Sequence, residues 1–258
     1  MGANTIVADI ADVLARRVAA GEYAPGELMP SVRGVADEFD VNRATAQLIL
    51  GRLEAAGFVE ARPGKGFAIR DVHMDGGVEL YRRLFELSVD SPEHAVAMFA
   101  DIVAEEQLLV QDALLAYTDS ERTVDSAELS ALLDEMETAA RSDDPDYAAL
   151  FAMELALVRK VLTALGHGMQ RAMLNSIGDM VLAVPAAVSA FYAVSPDMHV
   201  LAWRALVAVW ESDAGLTQSQ LALFGDIFGV YHVKVLARFD ELLLGSPDSI
   251  PDRRATTA

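Results

Sequence analysis

DEFDVNRATAQLILGRLEAAGFVEARPGKGF, residues 37–67, holds a helix cap, an amphipathic helix, a helix stop and a hairpin in direct succession. Asn42 is placed to cap, since its side-chain oxygen can accept a free N–H of the first helical turn. Ala46, Ile49, Leu50 and Leu53 then recur at three and four residues, the spacing of one buried helix face, and Gly57 ends the run. Arg43, Ala44 and Gln47 fall off that face. Beyond Gly57, FVEAR (58–62) and FAIRD (67–71) alternate as short strands do, and Pro63-Gly64-Lys65-Gly66 joins them through a glycine-supported turn.

Upstream, Ile6, Ile10, Val13, Leu14 and Val18 predict a first helix that stops at Gly21. The turn-rich AAGEYAPGELMP follows. Ser31 caps a short helix running to Phe39, with Val35, Ala36 and Phe39 on one face. Three short helices followed by a hairpin predict a winged helix-turn-helix over residues 1–72.

The segment RDVHMDGGVEL interrupts the periodic pattern, so 73–77 reads as a linker and 78–245 as a second domain. Helical spacing runs over 77–90, 92–117, 125–141, 144–165, 168–194, 197–213 and 216–244, which predicts an all-helical bundle. The fold class is therefore mainly α, a winged helix with a small β-hairpin plus a C-terminal helical domain. GSPDSIPDRRATTA reads as a disordered tail, covering 246–258.

The chain has 258 residues, 53% of them apolar, and no cysteine, which removes disulfides and cysteine nucleophiles and suits a reducing compartment. Residues 1–72 carry eight basic against ten acidic side chains, and 73–258 carry twelve against 29, so the net −2 and −17 place the acidity in the second domain. The start lacks the basic region and apolar core of a secretion signal, and a cytoplasmic location is expected. MVLAVPAAVSAFYAV (180–194) contains Pro185 and is shorter than the roughly 20 residues of a bilayer span, so it reads as a buried helix and no membrane partner is expected.

Residues 21–69 resemble the DNA-binding domain of GntR-type transcription regulators. The resemblance rests on the Gly-x-x-x-Pro-Gly-x-x-x-Pro run from Gly21 to Pro30, Arg33 in the second helix, and the Arg43-x-Thr45 start of the third. Leu53-x-x-x-Gly57 and Gly64-x-Gly66 complete it. Asn42 stands where the family usually has Ser, and Gln47 where a second Arg is common, which leaves the operator sequence open. The resemblance implies double-stranded DNA as partner and a recognition helix in the major groove.

That role suits the residues, because Arg can take guanine O6 and N7 and Gln can pair with adenine N6 and N7. Arg43 and Gln47 lie one turn apart and are candidate base readers. Arg33, Asn42 and Thr45 suit phosphate positioning, and Gly64, Lys65 and Gly66 let the wing tip approach the backbone or minor groove. One recognition helix reads few base pairs, so a homodimer on a palindromic operator is expected.

The helix count also resembles the FadR-like branch. Many such effector domains hold a divalent metal with an Asp and three His; here Glu154 is present, Val158 occupies a His position, His199 lies about a turn out of register, and His232 alone is in register. A three-His metal site is therefore not expected, and neither is a cofactor. The Met and aromatic stripes instead suit a long-chain fatty acid or acyl-CoA, with Met173, Met180, Phe191, Tyr192, Trp203, Phe228, Tyr231 and His232 as candidate ligand residues. A small carboxylate effector and a winged-helix protein-interaction module are the alternatives. No nucleophile elbow, His-Glu-x-x-His or dinucleotide fingerprint is present, so enzyme activity is not expected.

Overall fold

The computed structural model describes residues 3–121, 124–212 and 217–245. They form two compact units that divide at Asp90/Ser91.

In the first unit, α1 (Ala3–Ala19) packs on α3 (Arg43–Ala55) and on α4 (Val78–Ser88), and α2 (Val32–Glu38) packs on α3. β1 (Val59–Arg62) and β2 (Gly66–Ile69) pair antiparallel with Val59 opposite Ile69 and Arg62 opposite Gly66, which is the expected wing. Leu28 bridges Ala68 and ties the turn-rich connection to the hairpin. Gly64 and Gly66 both have positive φ (74° and 113°), a conformation that a side chain at the wing turn would strain.

The α3 stripe is buried as its spacing requires, with Ala46, Ile49 and Leu50 at 0% exposure and Leu53 at 1%. The face of α1 differs from the expectation. Leu14, Val18, Ala11 and Ala15 are buried, whereas Ile6 and Val13 stand exposed, so the buried face of α1 runs through Ala11, Leu14, Ala15 and Val18. The segment 73–77 is irregular apart from turns, as its residues suggest. The division of the chain nevertheless falls after α4 rather than before it, since α4 folds back onto α1 and Arg83 forms an ion pair with Asp12.

The second unit contains α5 (Pro92–Thr118), α6 (Ser126–Ala140), α7 (Tyr147–Leu165), α8 (Gly168–Leu182), α9 (Pro185–Phe191), α10 (Pro196–Glu211) and α11 (Gln218–Leu244). α5 packs on α7, α8 and α11, α9 packs on α11, and α6 packs on α10. Phe99, Phe151, Phe191 and Phe239 meet in the core, the Phe99 and Phe239 rings lying 4.0 Å apart.

The expected single helix 168–194 is two helices. Pro185 has no N–H to donate and its ring excludes the carbonyl four residues back, while Val184 before it is held extended (φ −121°, ψ 102°). α8 and α9 are therefore bent by 109°. No single helix among the described residues is long and apolar enough to cross a membrane. The expected tail, 246–258, lies outside the described residues.

Candidate nucleic-acid interface

Asn42 sits at the N-cap of α3 with its side-chain oxygen 2.9 Å from the Thr45 backbone N–H, which fixes where the helix begins. Asp40, at φ 50°, makes the sharp turn between α2 and α3. Ser31 caps α2 in the same way, its hydroxyl oxygen accepting from the Gly34 N–H at 3.1 Å. The Glu54 carboxylate accepts from the Ala61 N–H at 2.9 Å and joins the end of α3 to the wing.

With Ala46, Ile49, Leu50 and Leu53 inward, the outer face of α3 presents Arg43, Ala44, Gln47 and Leu48. Leu48, at 62% exposure, was not singled out by spacing. Its signal is its position one turn beyond Ala44 on the side opposite the buried stripe, where an apolar side chain can meet a thymine methyl. Thr45 is half-buried beside its cap, and Arg33 is exposed on α2, where it pairs with Asp37 at 3.5 Å. Lys65 and its flanking glycines form the exposed wing tip.

The pairing of the basic side chains separates two groups. Arg16, Arg17, Arg33, Arg62, Arg82 and Arg83 each face a carboxylate within the first unit. The Arg70 guanidinium donates to the carbonyls of Gly57 and Asp75. Among the described Lys and Arg of this unit, that leaves the side chains of Arg43 and Arg52 on α3 and of Lys65 on the wing without a hydrogen bond or ion pair. Gln47 has none either. The unengaged cations thus belong to the recognition helix and the wing tip of an otherwise acidic chain, the arrangement that a polyanion rewards.

In the second unit polar groups of α7, α10 and α11 gather at the C-terminal end of α9. Glu154 accepts from the Tyr192 hydroxyl at 2.7 Å, from His199 Nδ1 at 3.0 Å and from Trp203 Nε1 at 3.4 Å. Burial opposes a charge on either partner. For His199 the opposite charge of Glu154 and its hydrogen bond outweigh that, so the imidazole pKa is raised. For Glu154 the same attraction, with the Tyr192 and Trp203 donors, lowers the carboxyl pKa against its burial. Burial, then the neighbouring carboxylate, raises the Tyr192 hydroxyl.

His199 Nε2 is buried and makes no hydrogen bond of acceptable geometry. The nearby Phe191 carbonyl already accepts from the Tyr231 hydroxyl at 2.8 Å and is the weakest of the causes that raise His199.

Of the candidate ligand residues, the structure brings Phe191, Tyr192, Trp203 and Tyr231 together around His199. Phe228 and His232 stack edge-on along α11. His232 is 2% exposed, and both its ring nitrogens lie 2.7 Å from acceptors, the Phe228 carbonyl and the Glu106 carboxylate. Met180 is buried and Met173 half-buried on α8, outside this hydrogen-bonded group.

His199, a turn out of the expected register, is buried and paired with Glu154, and Glu106 is a buried carboxylate that pairs with His232. Its signal was a carboxylate in the buried series Phe99, Val103, Val110 of α5. Among the described residues no group of three or more His, Asp or Glu is placed to hold a metal ion.

Residues 6–69 match the family model described as bacterial regulatory proteins, gntR family, so the first unit carries a gntR-type helix-turn-helix domain. The chain is 36% identical over 81 residues to the HTH-type transcriptional regulator Mce2R of Mycobacterium tuberculosis, an alignment covering 31% of this chain and 34% of that protein. It is also 36% identical over 62 residues to an uncharacterized HTH-type transcriptional regulator of the same organism, covering 24% and 26%. The chain thus spans about a third of the length of these curated relatives or less. A solved structure titled for Lar, which controls the expression of the Listeria monocytogenes agr system, superposes with a TM-score of 0.56 at 14% identity, over 94% of this chain and 98% of that one. At that identity the likeness is one of fold.

Proposed function

We propose that this chain is a ligand-responsive transcriptional regulator of the FadR-like branch, binding a palindromic operator as a homodimer and working as a repressor. The observation that carries the reading is the set of unengaged cations, Arg43, Arg52 and Lys65, on a capped recognition helix and a glycine-supported wing. Arg43 and Gln47 face bases in the major groove, and Arg33, Thr45 and Lys65 face phosphates. A gel shift at two salt concentrations tests it, because phosphate contacts release counterions and affinity must fall as salt rises. Salt-independent binding, or none to any duplex, refutes the reading and leaves a winged-helix protein-interaction module.

The effector is a long-chain free fatty acid bound in the helical unit, which lowers DNA affinity by favouring an arrangement that mismatches the half-site spacing. Two features support a free acid over its coenzyme A thioester. Of the six cations on the later helices, Arg159, Lys160, Arg171, Arg204 and Arg238 are each engaged by Asn175, Glu128, Thr163, Asp134 with Glu137, and Glu241, which leaves Lys234 for phosphates. A single carboxylate has a ready donor in the unpartnered His199 Nε2, beside the aromatic group of Phe191, Tyr192, Trp203 and Tyr231.

The same nitrogen favours the second reading, a small carboxylate metabolite. Titrating acids of about 10 to 20 carbons, and short carboxylates in parallel, into a preformed operator complex separates the two. The acyl reading requires release graded with chain length, at about 0.8 kcal/mol per buried methylene.

A further inference from the structure

The inner face of α11 is fully occupied. Val235 and Phe239 are at 0% exposure, His232 is at 2%, and Gly225 and Gly229 face Gln111 and Gln107 of α5. Its outer face is not. Leu223, Ile227, Val230 and Val233 are 58%, 61%, 59% and 67% exposed, and Ala222 and Ala237 are exposed beside them. Positions 223, 227, 230, 234 and 237 advance by four and three residues in turn, which keeps one seam along the helix.

Two charges lie on this outer face, Lys234 within the seam and Asp226 beside it, both exposed. Neither makes an ion pair or side-chain hydrogen bond among the described residues. For Lys234 this stands out, since residues 91–258 hold 25 acidic against ten basic side chains and every other described Lys or Arg of the unit has a partner.

Reversal about Val230 carries the wider exposed face, residues 223, 226, 227, 230, 233, 234 and 237, onto itself. Asp226 then falls opposite Lys234, Ile227 opposite Val233, and Leu223 opposite Ala237. Intrahelical pairing of Asp226 with Lys234 is excluded by their eight-residue separation, roughly 12 Å along the axis at 1.5 Å per residue. The complement of each charge is therefore available on another copy of the same helix.

We propose that the outer face of α11 is the self-pairing surface of this chain: a second copy packs its α11 antiparallel against the first, about a two-fold axis through Val230. An isologous contact of this kind presents the same residues from both sides. The aliphatic seam supplies the apolar area, and Asp226 and Lys234 fix the register and antiparallel direction through two symmetric pairs. The face is neutral in a unit of net −15, so it is where two acidic copies can approach without repulsion. This supplies the second copy that the operator reading requires, and its test uses no DNA.

Sedimentation velocity of the full chain across a concentration series, with and without substitutions, tests it. Val230→Glu sets two carboxylates against each other at the axis and yields a monomer where the parent is a dimer. Asp226→Lys and Lys234→Asp each create two like-charge contacts and raise the dimer dissociation constant about tenfold or more. The double variant Asp226→Lys/Lys234→Asp restores the crossed pairs and returns the constant to within about threefold of the parent.

Because the chain has no cysteine, Val230→Cys adds a clean probe. Facing helices at the usual 8–10 Å bring their nearest Cα atoms to about 5 Å, within disulfide range. Mild oxidation therefore gives a linked dimer, and Leu201→Cys on α10 does not. A parent that stays monomeric, single reversals that leave its dimer unchanged, or a folded double variant that fails to recover would overturn the proposal and assign the face to another occupant. Salt-dependent DNA binding by such a protein would leave the operator reading intact.

Discussion

Replacing Glu154 by alanine removes the acceptor that Tyr192, His199 and Trp203 share. The side chains of Glu154 and His199 are 20% and 8% exposed, so His199 is left in a poorly solvated place without the carboxylate that favours its charge. Breaking such a buried pair costs about 3–5 kcal/mol. At about 2–4 °C per kcal/mol for a domain of this size, the melting temperature of the helical unit falls by roughly 10 °C.

The pH dependence has a definite sign. His199 has a folded pKa above its ordinary 6.5, so its contribution is complete below that value and is lost as pH rises through the folded pKa. Glu154 has a folded pKa below its ordinary 4.5, so its contribution is present above that value and is lost as pH falls through the folded pKa. The pair therefore stabilises most between about pH 4.5 and 6.5, and calorimetry on the parent shows the melting temperature declining above that window. Glu154→Ala flattens the decline. A variant within about 1 kcal/mol of the parent, or one with the same slope above pH 6.5, would show that the pair does not hold the helices together.

Asn42→Ala removes the cap of α3 and costs about 1 kcal/mol in thermal unfolding, with weaker DNA binding because the helix start is no longer fixed; unchanged stability removes the cap from the account. Lys65→Ala and Arg52→Ala lower affinity evenly across sequences and reduce the salt slope by about one each, which anisotropy titrations at several salt concentrations would measure. Each added methylene of an acyl effector tightens release of the operator complex about fourfold until the pocket is full, following roughly 0.8 kcal/mol per methylene; a flat response across chain lengths contradicts the acyl reading.

Local chemistry made the first unit legible. The cap at Asn42, the three-and-four spacing of Ala46, Ile49, Leu50 and Leu53, and the glycines at 64 and 66 each act within a few residues, and the structure places them as read. What escaped was non-local. The return of α4 onto α1, with Arg83 meeting Asp12, joins positions 71 residues apart and leaves no periodic trace. Glu106 and His232 are separated by 126 residues, and Glu154 and His199 by 45, so neither pair could be read from spacing along one helix. The break before Pro185 was legible in principle, because proline removes a helix donor wherever it sits. The run across 180–194 is apolar except at Pro185 and Ser189, and its helical spacing on both sides of the proline reads as one helix.

α3 and the wing are proposed to read DNA through side chains the protein itself leaves unengaged. Anisotropy titration of the parent and Arg43→Ala, each against a selected operator and a scrambled duplex at two salt concentrations, tests it most directly. Parent affinity for both duplexes is expected to fall as salt rises. Arg43→Ala is expected to lose about 1–3 kcal/mol of its preference for the operator, the value of one bidentate base contact. Parent binding indifferent to salt, or an Arg43→Ala operator affinity within about twofold of the parent at fixed salt, a loss too small for such a contact, would contradict it.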